Sequence, residues 1–127
     1  MTKQEFLNIY ESRLKTIADS YIQKLTEQKE TFYNSLFHIW ADIAHDFNSQ
    51  GNLLISELMT DLGIQNSQTI KDGLTEVPVD MYLLQKSFTI QSEQRKEFNE
   101  KTISILREAL CRDFPDDCDK QGILPLE

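Results

Sequence analysis

Residues 26–31 read TEQKET, and the fold turns on whether a helix runs through them. One apolar stripe lies on either side. Leu7, Leu14, Ala18, Tyr21 and Leu25 precede the hexapeptide, and Phe32, Leu36, Ile43 and Phe47 follow it. At about 100° per residue these positions fall within roughly 80° of arc, as a single helix would place them. Within the hexapeptide the stripe position is Lys29, where an apolar residue belongs. Apart from two threonines, the residues there are good helix formers. No Gly or Pro precedes Gly51. The pattern predicts continuity, with one helix running from a Thr2–Glu5 capping box to about residue 48. Such a helix would be about 68 Å long at 1.5 Å per residue. A compact chain of this size has a radius of gyration of roughly 14 Å, so the molecule is expected to be elongated.

Working outward, NSQGN at 48–52 reads as a loop. Asn52 is placed to cap a short helix that Gly63 would end. A further turn of helix is predicted over Ser67–Asp72. Thr75–Val79, TEVPV, is held extended by its β-branched residues and Pro78. With no partner strand in view, it reads as a linker. Asp80 then caps a second long helix that stops near Phe114, before Pro115. Its apolar stripe is Met81, Leu84, Phe88, Phe98, Thr102, Ile105, Leu106, Ala109 and Leu110, with Gln91 and Arg95 as a polar interruption.

The predicted fold class is all-α: an elongated helical bundle built on two long antiparallel helices (about 2–48 and 80–114), with one or two short helices between them. Residues 1–114 form a single helical domain, and 115–127 form an acidic, flexible tail. Packing the long helices with Phe47 beside Met81 sets Lys29 near Asn99 and Tyr33 near Arg95. Glu30 and Glu97 could then neutralise Arg95 and Lys29 across a polar waist, which would fix register at some cost in stability.

The net charge of −8 argues against gripping nucleic acid or anionic lipid, both of which need a basic surface. No window approaches the ~18 apolar residues of a membrane span. The opening MTKQEF has no apolar run of export-signal length. The expectation is a cytoplasmic protein with Cys111 and Cys118 reduced. CRDFPDDC has neither zinc spacing nor a redox CxxC.

Candidate chemistry centres on HIWADIAHD, residues 38–46, which holds both histidines and the lone tryptophan. His38, Asp42 and His45 share one helix face. That face lies opposite the stripe centred on Leu36, so it points outward. Zinc needs four ligands with outer support. A carboxylate-bridged iron site needs a second, facing motif, and the second long helix has no histidine. The glycines form no phosphate-binding loop. No nucleophile–base set is brought together by motif. No metal, cofactor or catalytic residue is therefore predicted.

The informative face is the other one. Phe32, Tyr33, Phe37, Trp40 and Phe47, with the aliphatic residues among them, span roughly 160° of the helix. This is wider than a two-helix seam needs. These five are candidates either for core or for docking a protein, since large aromatic residues serve both roles. The functional expectation is a non-enzymatic protein-binding helical protein: an adaptor, chaperone or inhibitor of a protein partner. The alternative is a structural coiled-coil subunit driving homo-oligomeric assembly, with a homodimer as its simplest form. A helical-bundle metalloenzyme is the third reading.

Overall fold

The computed structural model describes residues 3–61, 69–72 and 75–118. Three helices pack against one another: α1 (Lys3–Glu27), α2 (Tyr33–Asp61) and α3 (Val79–Asp113). The order is up-down-up. Tyr10 of α1 lies beside Gly51 of α2, Trp40 of α2 beside Thr102 of α3, and Glu11 of α1 beside Gln94 of α3. The first and third helices thus run parallel, with the second antiparallel to both. The all-α bundle is as predicted.

Its internal architecture differs from the prediction at TEQKET. The expected continuous helix over 2–48 ends at Glu27, and the chain reverses before Tyr33. Local chemistry starts the break. The Thr26 hydroxyl donates back to the Ile22 carbonyl at 2.8 Å, a bond that competes with regular helix. Gln28 N–H donates to Leu25 O and Lys29 N–H to Thr26 O, three residues back, so the last turn tightens. Burial rewards the break. Phe6, Tyr10, Leu14, Ala18 and Leu25 of α1 become buried together with Leu36, Trp40, Ile43 and Phe47 of α2. A straight helix would have spread these residues along its length, and Lys29 would have interrupted them. In the turn Lys29 is exposed.

The pairing with α3 moves accordingly. Tyr33 faces Asp113 where Arg95 was expected, and Phe47 faces Phe98 where Met81 was expected. Both differ by about five helical turns. The proposed waist pairs do not form. Glu30 approaches Arg112 at 3.9 Å, and Glu97 pairs with Lys101 at 3.0 Å.

NSQGN is not a loop, because α2 runs through it to Asp61. Gly51 serves packing here. A Cβ at Gly51 would lie 2.8 Å from Gln91 Nε2, 3.1 Å from Gln91 Cδ and 3.4 Å from Leu14 Cδ1. The missing side chain lets all three helices meet, and a polar layer forms at the crossing. Tyr10 Oη donates to Gly51 O at 3.3 Å, and Gln91 Nε2 donates to Asn48 O at 3.3 Å. Ser87, one turn before Gln91 on α3, is also fully buried. Burial in this layer raises the Tyr10 hydroxyl pKa above its ordinary value. Gly51→Ala is expected to be nearly neutral: about 1 kcal/mol of helix propensity gained offsets the displacement of Gln91. Gly51→Val should lose about 1–3 kcal/mol by overpacking, read as a lower urea midpoint.

The connection to α3 also departs from expectation. Thr69–Asp72 forms β1, not a helical turn, and Thr75–Pro78 forms β2, not an unpaired linker. They pair antiparallel, with Ile70 opposite Val77 and Lys71 opposite Glu76. β-Branched residues on both segments suit this ladder. The α3 N-cap is Pro78, without a side-chain cap bond. Asp80 therefore sits within the first turn, where an anion favours the helix dipole, and is not the cap. Thr2, Gly63 and residues 119–127 of the predicted tail lie outside the described residues.

Candidate interaction surface

Two stretches of surface emerge from the way α2 and α3 are built. The first is aromatic and sits where α2 begins. Tyr33 and Trp40 are buried, Phe37 is half-buried, and Phe32 is 51% exposed. The structure joins these four in a chain of ring contacts. Phe37 lies 5.6 Å from Trp40 and 6.2 Å from Tyr33, measured between ring centroids. Phe114 completes the cluster by meeting Phe32 at 5.5 Å and Tyr33 at 6.0 Å, both edge-on. Phe47 is separate. It is fully buried and stacks on Phe98. Of the five candidates, then, Tyr33, Trp40 and Phe47 are core residues, and Phe32 with part of Phe37 remains at the surface.

The second surface lies on the first half of α3. Met81, Leu84 and Phe88 recur at helical spacing, and the sequence pattern places them in the core. They are instead 52%, 38% and 46% exposed. The residues that α3 buries along this stretch are Val79, Leu83, Ser87 and Gln91. On a helical wheel the apolar stripe lies roughly 100° from the buried one. The offset has a cause in packing. The face that α3 turns inward carries Gln91, whose side chain packs against Gly51, with Ser87 fully buried one turn before it.

Beside this stripe runs an open groove between α2 and α3. One part, of about 320 Å³, is walled by Trp40, Ala44, Phe47 and Phe98. The other, of about 400 Å³, reaches Asn52, Phe88 and Ser92. Asn48 and Arg95 line both parts. Asn48 Oδ1 is buried without a hydrogen-bond partner. The part walled by Trp40, Ala44, Phe47 and Phe98 offers apolar area with a few polar atoms, as protein-docking sites do, and the part at Asn52 and Ser92 is mainly polar. A further depression, between α1 and α3, is lined by charged side chains including Lys15, Glu97 and Lys101. Hydrogen bonding and charge from Lys101, aided by Lys15, lower the Glu97 pKa.

His38, Asp42 and His45 are exposed on α2, as their wheel positions predict. Among the described residues no group of three His, Cys, Asp or Glu side chains could hold a metal ion. Replacing both histidines with alanine is expected to change stability by no more than about 0.5 kcal/mol, and added zinc should not shift the melting temperature. Among the described residues no helix is long and apolar enough to cross a membrane.

A structural site that sequence reasoning missed holds the TEQKET turn. Arg112 Nη1 donates to Lys29 O at 2.8 Å, and Nη2 donates to Thr31 O at 2.6 Å. Tyr33 N–H donates to Asp113 Oδ2 at 2.7 Å. The carboxylate thus caps α2 from another helix, satisfying a donor that the first helical turn leaves orphaned. Arg112 also binds Asp113 directly, at 2.8 and 2.9 Å. That hydrogen bond holds the Asp113 pKa below its usual value, with the Tyr33 N–H adding to the effect. The contribution to stability is present above the unfolded carboxyl pKa of ~3.9 and is lost as pH falls through the lower folded value. Urea midpoints should therefore fall less steeply below pH 4 in Asp113→Asn than in the parent. The only sequence signal for this site is an RD pair just before a helix-ending Pro, with nothing to show what it reaches.

Comparisons of the chain with protein-family models, with curated proteins and with solved structures return no match.

Proposed function

We propose that this is a non-enzymatic protein-binding helical protein, an adaptor, chaperone or inhibitor, that docks its partner on the outer stripe of α3 and the adjoining groove. One observation carries this reading: Met81, Leu84 and Phe88 form an apolar stripe that the bundle itself does not bury. Single exposed apolar residues are ordinary, but a row of them beside a groove marks an interaction surface. The partner it suits is a helix laying its own apolar face into the groove. Residence in the cytoplasm belongs to the same proposal. A Cys111–Cys118 pair found fully oxidised in protein taken from its natural source would move it to an oxidising compartment.

The test is recovery of partners from the native source by the parent chain and by a Leu84→Glu, Phe88→Glu variant. Both positions are exposed, so helicity and melting should stay close to those of the parent. Binding should fall at least about tenfold, a loss of about 1.4 kcal/mol. Full retention of the partner by a folded variant overturns the reading. Recovery of copies of the chain alone, with a concentration-dependent mass in solution, replaces it with homo-oligomeric assembly.

A further inference from the structure

Cys111 and Cys118, expected from the sequence to be reduced, are joined in a disulfide in the structure, with Cα atoms 4.6 Å apart. The bond closes the segment CRDFPDDC at 111–118. Three consecutive residues inside that segment are the ones that hold the α1–α2 turn. Arg112 binds two of its carbonyls, Asp113 caps α2 at Tyr33, and Phe114 packs edge-on against Phe32 and Tyr33.

Phe114 lies just past the end of α3, where its N–H donates to Leu110 O at 2.7 Å. The turn after it is held by Asp117 N–H to Phe114 O at 3.0 Å and a longer Cys118 N–H to Pro115 O at 3.4 Å. So short a turn gains much of its order from covalent closure, because the cross-link removes alternatives open to the free chain. Cys111 is exposed on α3 and Cys118 is half-buried, so a reductant can reach the bond.

We propose that the Cys111–Cys118 pair is a thiol–disulfide exchange site whose oxidation state sets how firmly the end of α3 clasps the α1–α2 turn. The co-reactant is a dithiol. Its thiolate attacks the exposed Cys111 Sγ, the bond to Cys118 Sγ breaks, and Cys118 leaves as a thiolate that takes a proton from water. The second thiol of the reductant, as its thiolate, then attacks the mixed disulfide. Cys111 is released as a thiolate and is protonated in turn. Two electrons pass to the protein, and the reductant ends as its own disulfide. A disulfide oxidant runs the same exchange backwards. In the oxidised form the clasp is closed. In the reduced form the turn at 114–118 opens, and the aromatic cluster around Phe32 loses its cover.

The test is amide hydrogen exchange on the full chain, oxidised with glutathione disulfide or reduced with dithiothreitol, alongside a Cys111→Ser, Cys118→Ser variant. Reduction is expected to speed exchange at Tyr33 and Leu36 by about tenfold or more and to leave the amides around Leu58 unchanged. The double variant should match the reduced parent and should not respond to dithiothreitol. Equal exchange at Tyr33 in the oxidised and reduced parent overturns the proposal. So does failure of glutathione disulfide to remove two protons' mass from the folded chain. Because the readout concerns the turn and not any partner, the result stands apart from the docking surface on α3.

Discussion

Trp40→Ala is expected to destabilise the fold by about 3–5 kcal/mol, the largest single loss among the aromatic residues of α2 that also carry a polar group. Trp40 is buried between α2 and α3, with its ring against Phe37. Its indole Nε1 donates to Thr102 Oγ1 at 2.9 Å. Truncation removes the apolar contact, leaves a cavity and breaks that bond at once. Trp40→Phe separates these effects. It keeps most of the buried ring and loses only the donor. The Thr102 hydroxyl still donates to Phe98 O at 2.8 Å, so no buried donor is stranded and the cost should be about 1 kcal/mol. Urea unfolding with an unchanged slope gives both values. An alanine variant that unfolds within 1 kcal/mol of the parent would place Trp40 at a partner surface and not in the core.

Phe47→Ala should cost a similar amount, about 3–5 kcal/mol, for a different reason. Phe47 is fully buried and stacks on Phe98 at 4.8 Å with the rings 13° from parallel. The pair ties the middle of α2 to the middle of α3. A cycle of Phe47→Leu, Phe98→Leu and the double variant isolates the ring–ring contribution. The expected coupling is about 0.5–1.5 kcal/mol beyond the burial of area. Strict additivity would mean the two rings do not meet as described and would call the α2–α3 register into question. The register expected from the sequence would have put Phe47 beside Met81.

Much of the helical content was legible because it depends on local pattern. The absence of Pro, the good helix formers and the 3.6-residue spacing fix where helix is stable, whatever it packs against. The outward turn of His38, Asp42 and His45 was legible for the same reason, since one helix wheel decides it. The end of α3 was legible from Pro115, which cannot continue a helix.

What the sequence hid depends on partners far along the chain. TEQKET has no strong breaker. It becomes a turn because reversal buries α1 against α2, and because Arg112 and Asp113, some 80 residues on, satisfy the backbone groups the break exposes. Gly51 reads as a loop residue until Gln91 and Leu14 are seen pressed against it. The hairpin was missed because Ile70 and Val77 define a ladder only as a pair. The same holds for the candidate site. The pattern identified Met81, Leu84 and Phe88 as an apolar stripe, but α3 turns Val79, Leu83, Ser87 and Gln91 inward instead, with Gln91 packed against Gly51 of α2. By itself, then, the sequence determined that this chain is helical and which residues share each helix face. Tertiary packing decided where the first helix breaks, how the three helices register, and which apolar face is left exposed, because each of these is a balance of burial between segments that no local window contains.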